Sequence, residues 1–213
     1  PEKTEKQVRL LLRDGDVGLV YCDTFIETER GLKLMRMPRL KGYVYNEMLK
    51  FPLIYLPIIM VKKNIALQAG LFDENKVFIE DFKFLISVSR IANFDYVPEP
   101  LCVINRNNSV ERLTAKRSIL IKEFLDTLTE FKKEILINLK KTEIEELSFK
   151  LGRISWTLLL MREKKLALKS LLLSFLLTKN VKELGKAILI LLGLYDKYMR
   201  LKYPPEKLEE FRI

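Results

Sequence analysis

Apolar and polar residues follow two different patterns along the chain, and the pattern changes near residue 110. Before that point, short apolar runs bounded by turn residues alternate with stretches of helical spacing. Residues 17–22 form a compact run with β-branched and aromatic members, which predicts a buried strand. The other predicted elements here are strands at 25–33, 53–61, 94–97 and 101–104 and helices at 1–13, 46–50, 63–69 and 80–91. Alternation of strands and helices is typical of an α/β layer.

After residue 110 the apolar residues show only helical periodicity, and the first proline is Pro204. The spacing predicts helices at residues 114–139, 141–161, 164–177 and 181–203, joined by short polar breaks. Antiparallel helices with short links pack as hairpins. We therefore predict an α/β region at residues 1–110 and an all-α helical hairpin extension at residues 111–213.

The composition limits which side chains could act as a general base or bind a metal. The 213 residues are 48% hydrophobic and 31% charged, which indicates a globular chain. Histidine is absent, so a general base must be a carboxylate or, less commonly, Lys, Tyr or Cys. Cys22 and Cys102 are far apart in apolar runs, which predicts neither a metal site nor a disulfide and favours a reducing cytoplasm. No apolar run approaches the roughly 18 residues of a membrane span.

The net charge is +10, and the positive excess lies after residue 110. The basic residues are spread among acidic ones, so a solvated surface is the favoured interpretation. Docking of the leucine-rich helices on an anionic membrane is a second one. Nucleic-acid binding is disfavoured because it rests on charge alone, without a recognisable motif.

Four residues are candidates for a site, each with a plainer interpretation. Glu80-Asp81 stand at the start of a predicted helix, where acidic residues also stabilise the helix itself. Asp23 follows a buried strand at the end where open α/β sheets bind ligands, although a turn-forming aspartate is the commoner outcome. Gly70 could admit a close backbone approach or end a helix.

Several phrases in the first half, taken in order, resemble the second half of the catalytic domain of family 2 glycosyltransferases, which have the GT-A fold. The phrases are Pro1-Glu2-Lys3 with Gln7, Asp16-Val17-Gly18-Leu19-Val20-Tyr21-Cys22-Asp23, Lys41-Gly42 with Leu49-Lys50, Leu56-Pro57 with Val61-Lys62-Lys63, Ala69-Gly70-Leu71-Phe72-Asp73-Glu74, Glu80-Asp81 and Tyr96-Val97-Pro98-Glu99-Pro100-Leu101. None is specific alone, but their common order supports the resemblance over residues 1 to about 110.

The resemblance implies a partial GT-A-like sheet that binds a glycan or lipid-linked acceptor. It implies that Asp81 is the catalytic base and that Glu80 positions it. Asp23, Gly70, Asp73 and Arg106 become acceptor-binding candidates, with turn formation as the alternative for Asp73. In many members an Arg-x-His phrase follows the last strand, whereas residues 104–109 of this chain contain no histidine.

The resemblance also implies that the strands holding the nucleotide sugar and the aspartates holding a divalent cation (Mg or Mn) would precede residue 1. No metal ligand set is evident in this chain. We therefore expect it to be inactive alone and to require a complementing N-terminal half or partner chain, in the cytoplasm or at the inner face of the membrane. The alternative is a non-catalytic helical interaction or membrane-surface module that retains a glycosyltransferase remnant.

Overall fold

The computed structural model describes residues 2–50, 54–105 and 117–202. The chain has an α/β fold followed by a helical region. It divides into two units, residues 1–115 and 116–213. The boundary predicted near residue 110 lies outside the described residues.

A mixed sheet organises the first unit, and β1 is its central strand. Among the described residues the strands are β1 (Val17–Thr28), β2 (Gly31–Met35), β3 (Ile59–Val61) and β4 (Asn93–Asn105). β1 runs parallel to β4, with Tyr21 opposite Tyr96. Along its other edge, the first half of β1 pairs antiparallel with β3 and the second half with β2.

Helices flank this sheet. They are α1 (Glu2–Arg13), α2 (Tyr45–Leu49), a short 3-10 helix (Leu56–Ile58), α3 (Lys63–Gln68) and α4 (Glu80–Ser89). The helix predicted at residues 1–13 is present as α1. Leu11 and Gln7 are its buried residues, whereas Val8 and Leu12 are exposed. The Gln7 amide donates to the Ile58 carbonyl at 2.8 Å, which explains why a polar residue faces inward.

β1 is longer than the predicted strand at residues 17–22. Leu19, Val20, Tyr21 and Cys22 are fully buried, so both faces of the sheet are covered there. The strand then continues through Asp23 to Thr28 and turns into β2. Asp23 therefore lies inside a strand, and neither the predicted strand end nor a turn at this position is correct.

β4 replaces the two short strands predicted around a Pro98-Glu99-Pro100 corner. The strand passes through this segment with an irregularity, because Val97 pairs with Cys22 and Pro100 pairs with the next residue, Asp23. Proline cannot donate a hydrogen bond to a sheet, and it is tolerated at edges and bulges. The two prolines thus bend the pairing without ending the strand.

The second unit is helical throughout its described part. Its helices are α5 (Arg117–Glu130), α6 (Lys132–Asn138), α7 (Lys141–Leu160), α8 (Lys164–Thr178), α9 (Val181–Leu191) and α10 (Tyr195–Lys202). Two predicted helices are each divided. One breaks at Phe131, and the other breaks at Gly193, whose φ of 72° is a left-handed value that favours glycine.

α7 and α8 pack closely through small polar side chains. The Ser148 and Ser174 hydroxyls are 2.6 Å apart, and Ser170 donates to the Leu151 carbonyl at 2.7 Å. These three serines are buried, so their hydrogen bonds satisfy polar groups that water cannot reach. Among the helices that the structure describes, none combines the length and the apolar character needed to cross a membrane.

Candidate active site

The candidate pair Glu80-Asp81 occupies the first turn of α4. Ile79 precedes the helix and cannot cap it with a side chain, whereas Asp81 Oδ1 accepts a hydrogen bond from the Phe82 amide at 2.7 Å. Backbone N–H groups are unsatisfied at a helix start, and negative charge is favoured there. Asp81 therefore helps to begin α4, in agreement with the plainer interpretation of its position.

Asp81 is also partly removed from water. Burial raises the pKa of its carboxyl above the ordinary value of 3.8, and the hydrogen bond from the Phe82 amide opposes this change. Burial raises a carboxyl pKa because it disfavours the charged form. A raised pKa brings a carboxylate closer to the proton affinity that a general base needs near neutral pH.

Glu80 is placed differently from its neighbour. It is half-buried, and its Oε2 is shielded from solvent by the surrounding protein. This oxygen cannot meet an acceptor that arrives from water. The positioning role of Glu80 stays a prediction.

The segment after α3 packs against the same helix. Asp73 Oδ2 accepts from Lys83 Nζ at 2.7 Å, and the rings of Phe72 and Phe84 are 4.5 Å apart. Asp73 also accepts from the Asn75 amide at 3.1 Å, as a turn-forming aspartate does. Asp73 is thereby paired with Lys83, which follows Asp81 by two residues and so lies on another face of α4.

The Lys83 hydrogen bond, followed by that from the Asn75 amide, lowers the pKa of Asp73 to about 2. The lowered pKa keeps Asp73 ionised to a more acidic pH, whereas the raised pKa of Asp81 favours its neutral form. The two candidates therefore have opposite electrostatic character although they lie beside one helix.

Gly70 ends α3 and sets the path of this segment. Its φ is 90°, its amide donates to Leu67, and the amide of Leu71 donates to Ala66. These two hydrogen bonds form a Schellman motif, in which glycine takes the left-handed position. The helix-ending role predicted as an alternative is present. A Cβ at Gly70 would meet no described atom within 4 Å, so the surface above it is open.

Asp23 forms a buried ion pair with Arg39. Asp23 is 2% exposed, and its carboxylate accepts from Arg39 Nη1 at 2.9 Å and Nη2 at 2.7 Å. The Met37 amide donates to the same group at 2.8 Å. Arg39 in turn lies over the Tyr96 ring, 5.1 Å from its centroid. Three donors hold the carboxylate, so its principal role is to tie the segment after β2 to the sheet.

Sequence reasoning missed Arg39, and one signal could have found it. An aspartate in an apolar strand needs a compensating cation, because a buried charge is rarely left unpaired. Arg106, the remaining acceptor-side candidate, lies outside the described residues.

A cavity of about 410 Å³ lies elsewhere in the first unit, near the starts of β1 and β4. Its polar lining includes Asp16, Lys62 and Arg90, and it contains none of the candidate residues. Ligands of open α/β sheets bind at the opposite, carboxyl ends of the strands. The cavity therefore adds no residue to the candidate site.

The described residues do not fit a divalent cation. Over these ranges no group of three or more His, Cys, Asp or Glu side chains could hold a metal ion. No protein-family model matches this chain, and no curated protein matches it.

Proposed function

We propose that this chain is the acceptor-binding and catalytic-base portion of a nucleotide-sugar-dependent glycosyltransferase, with Asp81 as the base. The observation that carries the proposal is the environment of Asp81: a half-buried carboxylate at a helix start, with its pKa raised by burial. The order of the phrases that resemble family 2 glycosyltransferases and the α/β fold support the same assignment.

The reaction needs one proton transfer that Asp81 can supply. An acceptor hydroxyl attacks the anomeric carbon of the donor sugar and forms the new glycosidic bond. The bond from that carbon to the diphosphate breaks, and its electron pair leaves with the nucleoside diphosphate. The hydroxyl proton passes to an Asp81 oxygen, for which hydrogen-bond reach is the geometric requirement.

The segment after α3 is held against α4. The Asp73–Lys83 ion pair and the Phe72–Phe84 contact join this segment to the first turns of the helix. These contacts help to fix α4, which carries Asp81 in its first turn. Asp23 is assigned a structural role in this proposal because Arg39 and Met37 occupy its carboxylate.

The test is transfer by the complete gene product, supplied with a panel of nucleotide sugars and with glycan and lipid-linked acceptors. Asp81→Asn keeps the shape of the side chain and removes the base, so we expect a loss of about 100- to 10,000-fold in kcat. Glu74→Gln is the matched control, because Glu74 is an exposed carboxylate seven residues earlier and its neutralisation should leave transfer unchanged. Full activity of Asp81→Asn would refute the assignment.

Stability separates a lost base from a lost fold. The raised pKa means that the folded chain binds the Asp81 proton more tightly than the unfolded chain does. Ionisation above the ordinary pKa therefore costs stability, and this cost persists at neutral pH. Asp81→Asn should be at least as stable as the parent at pH 7 in urea denaturation. In the active parent, the acid limb of kcat/KM should lie above the pH of an ordinary aspartate.

A further inference from the structure

Helix α9 turns an aliphatic face away from the protein. Val181, Leu184, Ile188, Leu191 and Leu192 recur at spacings that place them along one side of the helix, and all five are exposed. Val181 is 72% exposed and Leu191 is 70% exposed. We call these five residues the α9 stripe. A contiguous exposed apolar surface marks an interaction site, whereas scattered exposed apolar residues do not.

The opposite side of α9 packs inward. Ile190 and Glu183 are buried, and Glu183 Oε1 accepts from Lys186 Nζ at 2.5 Å. Glu183 is the sole acidic residue within α9. Because its carboxylate is turned into the protein, it contributes no negative charge to the outer side of the helix.

The exposed charge that the structure describes on α9 and α10 is positive. Among the side chains that the structure describes between residues 179 and 202, every exposed charged one is a lysine. These lysines are Lys179 and Lys182 at the start of α9 and Lys197 and Lys202 in α10. An exposed aliphatic face on a helical segment whose exposed charge is positive is complementary to an anionic lipid surface, which offers acyl chains and phosphates.

We propose that α9 lies in the plane of an anionic bilayer surface, with the α9 stripe inserted at the acyl boundary and the lysines at the headgroup phosphates. A protein partner is less favoured, because binding hot spots are enriched in Trp, Tyr and Arg and the stripe contains none of them. The inference rests on the helical unit and is independent of the proposed catalytic role.

The test is sedimentation of the full chain with two kinds of vesicle, phosphatidylcholine alone and phosphatidylcholine mixed with phosphatidylglycerol. We expect binding to the mixed vesicles, little binding to phosphatidylcholine, and weakening by added salt. Ile188→Ser and Leu191→Ser should each weaken partitioning by about tenfold, because each removes an aliphatic group from the acyl boundary. Ile137→Ser is the matched control, since Ile137 is 80% exposed on α6 and outside the stripe.

Three outcomes would overturn the proposal: no binding to mixed vesicles, equal binding to both kinds, or an equal effect of Ile137→Ser. If sedimentation velocity instead shows a dimer that Leu191→Ser dissociates while vesicles remain unbound, a second copy covers the stripe. Asp81→Asn should bind vesicles like the parent, so a failed membrane assay and a failed catalytic assay remain distinguishable.

Discussion

Asp23 and Asp81 are aspartates in the same unit, both withdrawn from water, and their surroundings differ. Asp23 receives a bidentate guanidinium and a backbone amide. The hydrogen bond to Asp81 comes from the adjacent Phe82 amide, and burial remains the larger influence on its pKa. The Asp23 carboxylate is held by these three donors. The pKa of Asp81 is raised, so its carboxylate binds a proton more readily than an ordinary aspartate does.

The two aspartates differ in how far hydrogen-bond donors compensate their burial. Burial alone does not mark a reactive carboxylate, because a fully compensated one is a structural tie. A carboxylate that is partly buried and incompletely compensated is the better candidate, since perturbed pKa values concentrate at functional sites. By this criterion Asp81 is a candidate base, and Asp23 is a structural residue that holds the segment after β2 to the sheet.

The Asp23–Arg39 ion pair can be tested by removing its guanidinium. Arg39→Met removes the guanidinium and leaves the Asp23 carboxylate buried, which should cost about 3 kcal/mol of the free energy of unfolding. Urea denaturation measures this loss. Arg36→Met is the matched control, because Arg36 is exposed in the same segment and its replacement should change stability little.

A double substitution removes both charges of the ion pair. Replacing a buried ion pair by apolar side chains is often neutral, so Asp23→Leu combined with Arg39→Met should recover most of the loss. An Arg39→Met protein as stable as the parent would show that the ion pair does not hold the segment after β2. Asp23 would then return to the list of acceptor-binding candidates.

The sequence predicted the elements around these aspartates better than their environments. The apolar run at residues 17–22 indicated a buried strand, and β1 contains it. Residues 25–28 were predicted within a separate strand at residues 25–33. That this strand is continuous with residues 17–22 was not predicted, because Asp23 interrupts the apolar pattern and its partner Arg39 lies sixteen residues later. A pairwise contact between distant residues leaves no trace in local periodicity.

Local signals were more informative where the cause itself is local. Acidic residues at the start of α4 and glycine at the end of α3 were both predicted, and both act through the backbone of adjacent residues. Gly193 carried a similar signal for the break between α9 and α10, but the periodicity of residues 181–203 concealed it. The burial that raises the pKa of Asp81 depends on packing and could not be predicted from the chain alone.

Gly70→Ala tests whether the left-handed glycine that ends α3 contributes to stability. A side chain at a φ of 90° is strained, so the substitution should cost about 1–2 kcal/mol. Gly152→Ala is the control inside α7, where open space and helical backbone predict a gain of about 0.5–1 kcal/mol. Thermal denaturation of both variants gives the comparison. A neutral Gly70→Ala would mean that the segment takes another path at no cost.

The ion pair between Asp73 and Lys83 lies near solvent and is screened by salt, so its contribution to the free energy of unfolding should be small. Its pKa is lowered from 3.8 to about 2, so the folded chain binds this proton less tightly than the unfolded chain. The stabilisation is therefore present above pH 3.8 and is lost as the pH falls toward about 2. Asp73→Asn should remove this part of the acid dependence, whereas Asp81→Asn should remove a contribution of opposite sign. Urea denaturation of the parent and of both variants from pH 2 to 7 measures how each substitution changes the pH dependence of the free energy of unfolding. Changes of the same sign for the two substitutions would contradict the assigned environments.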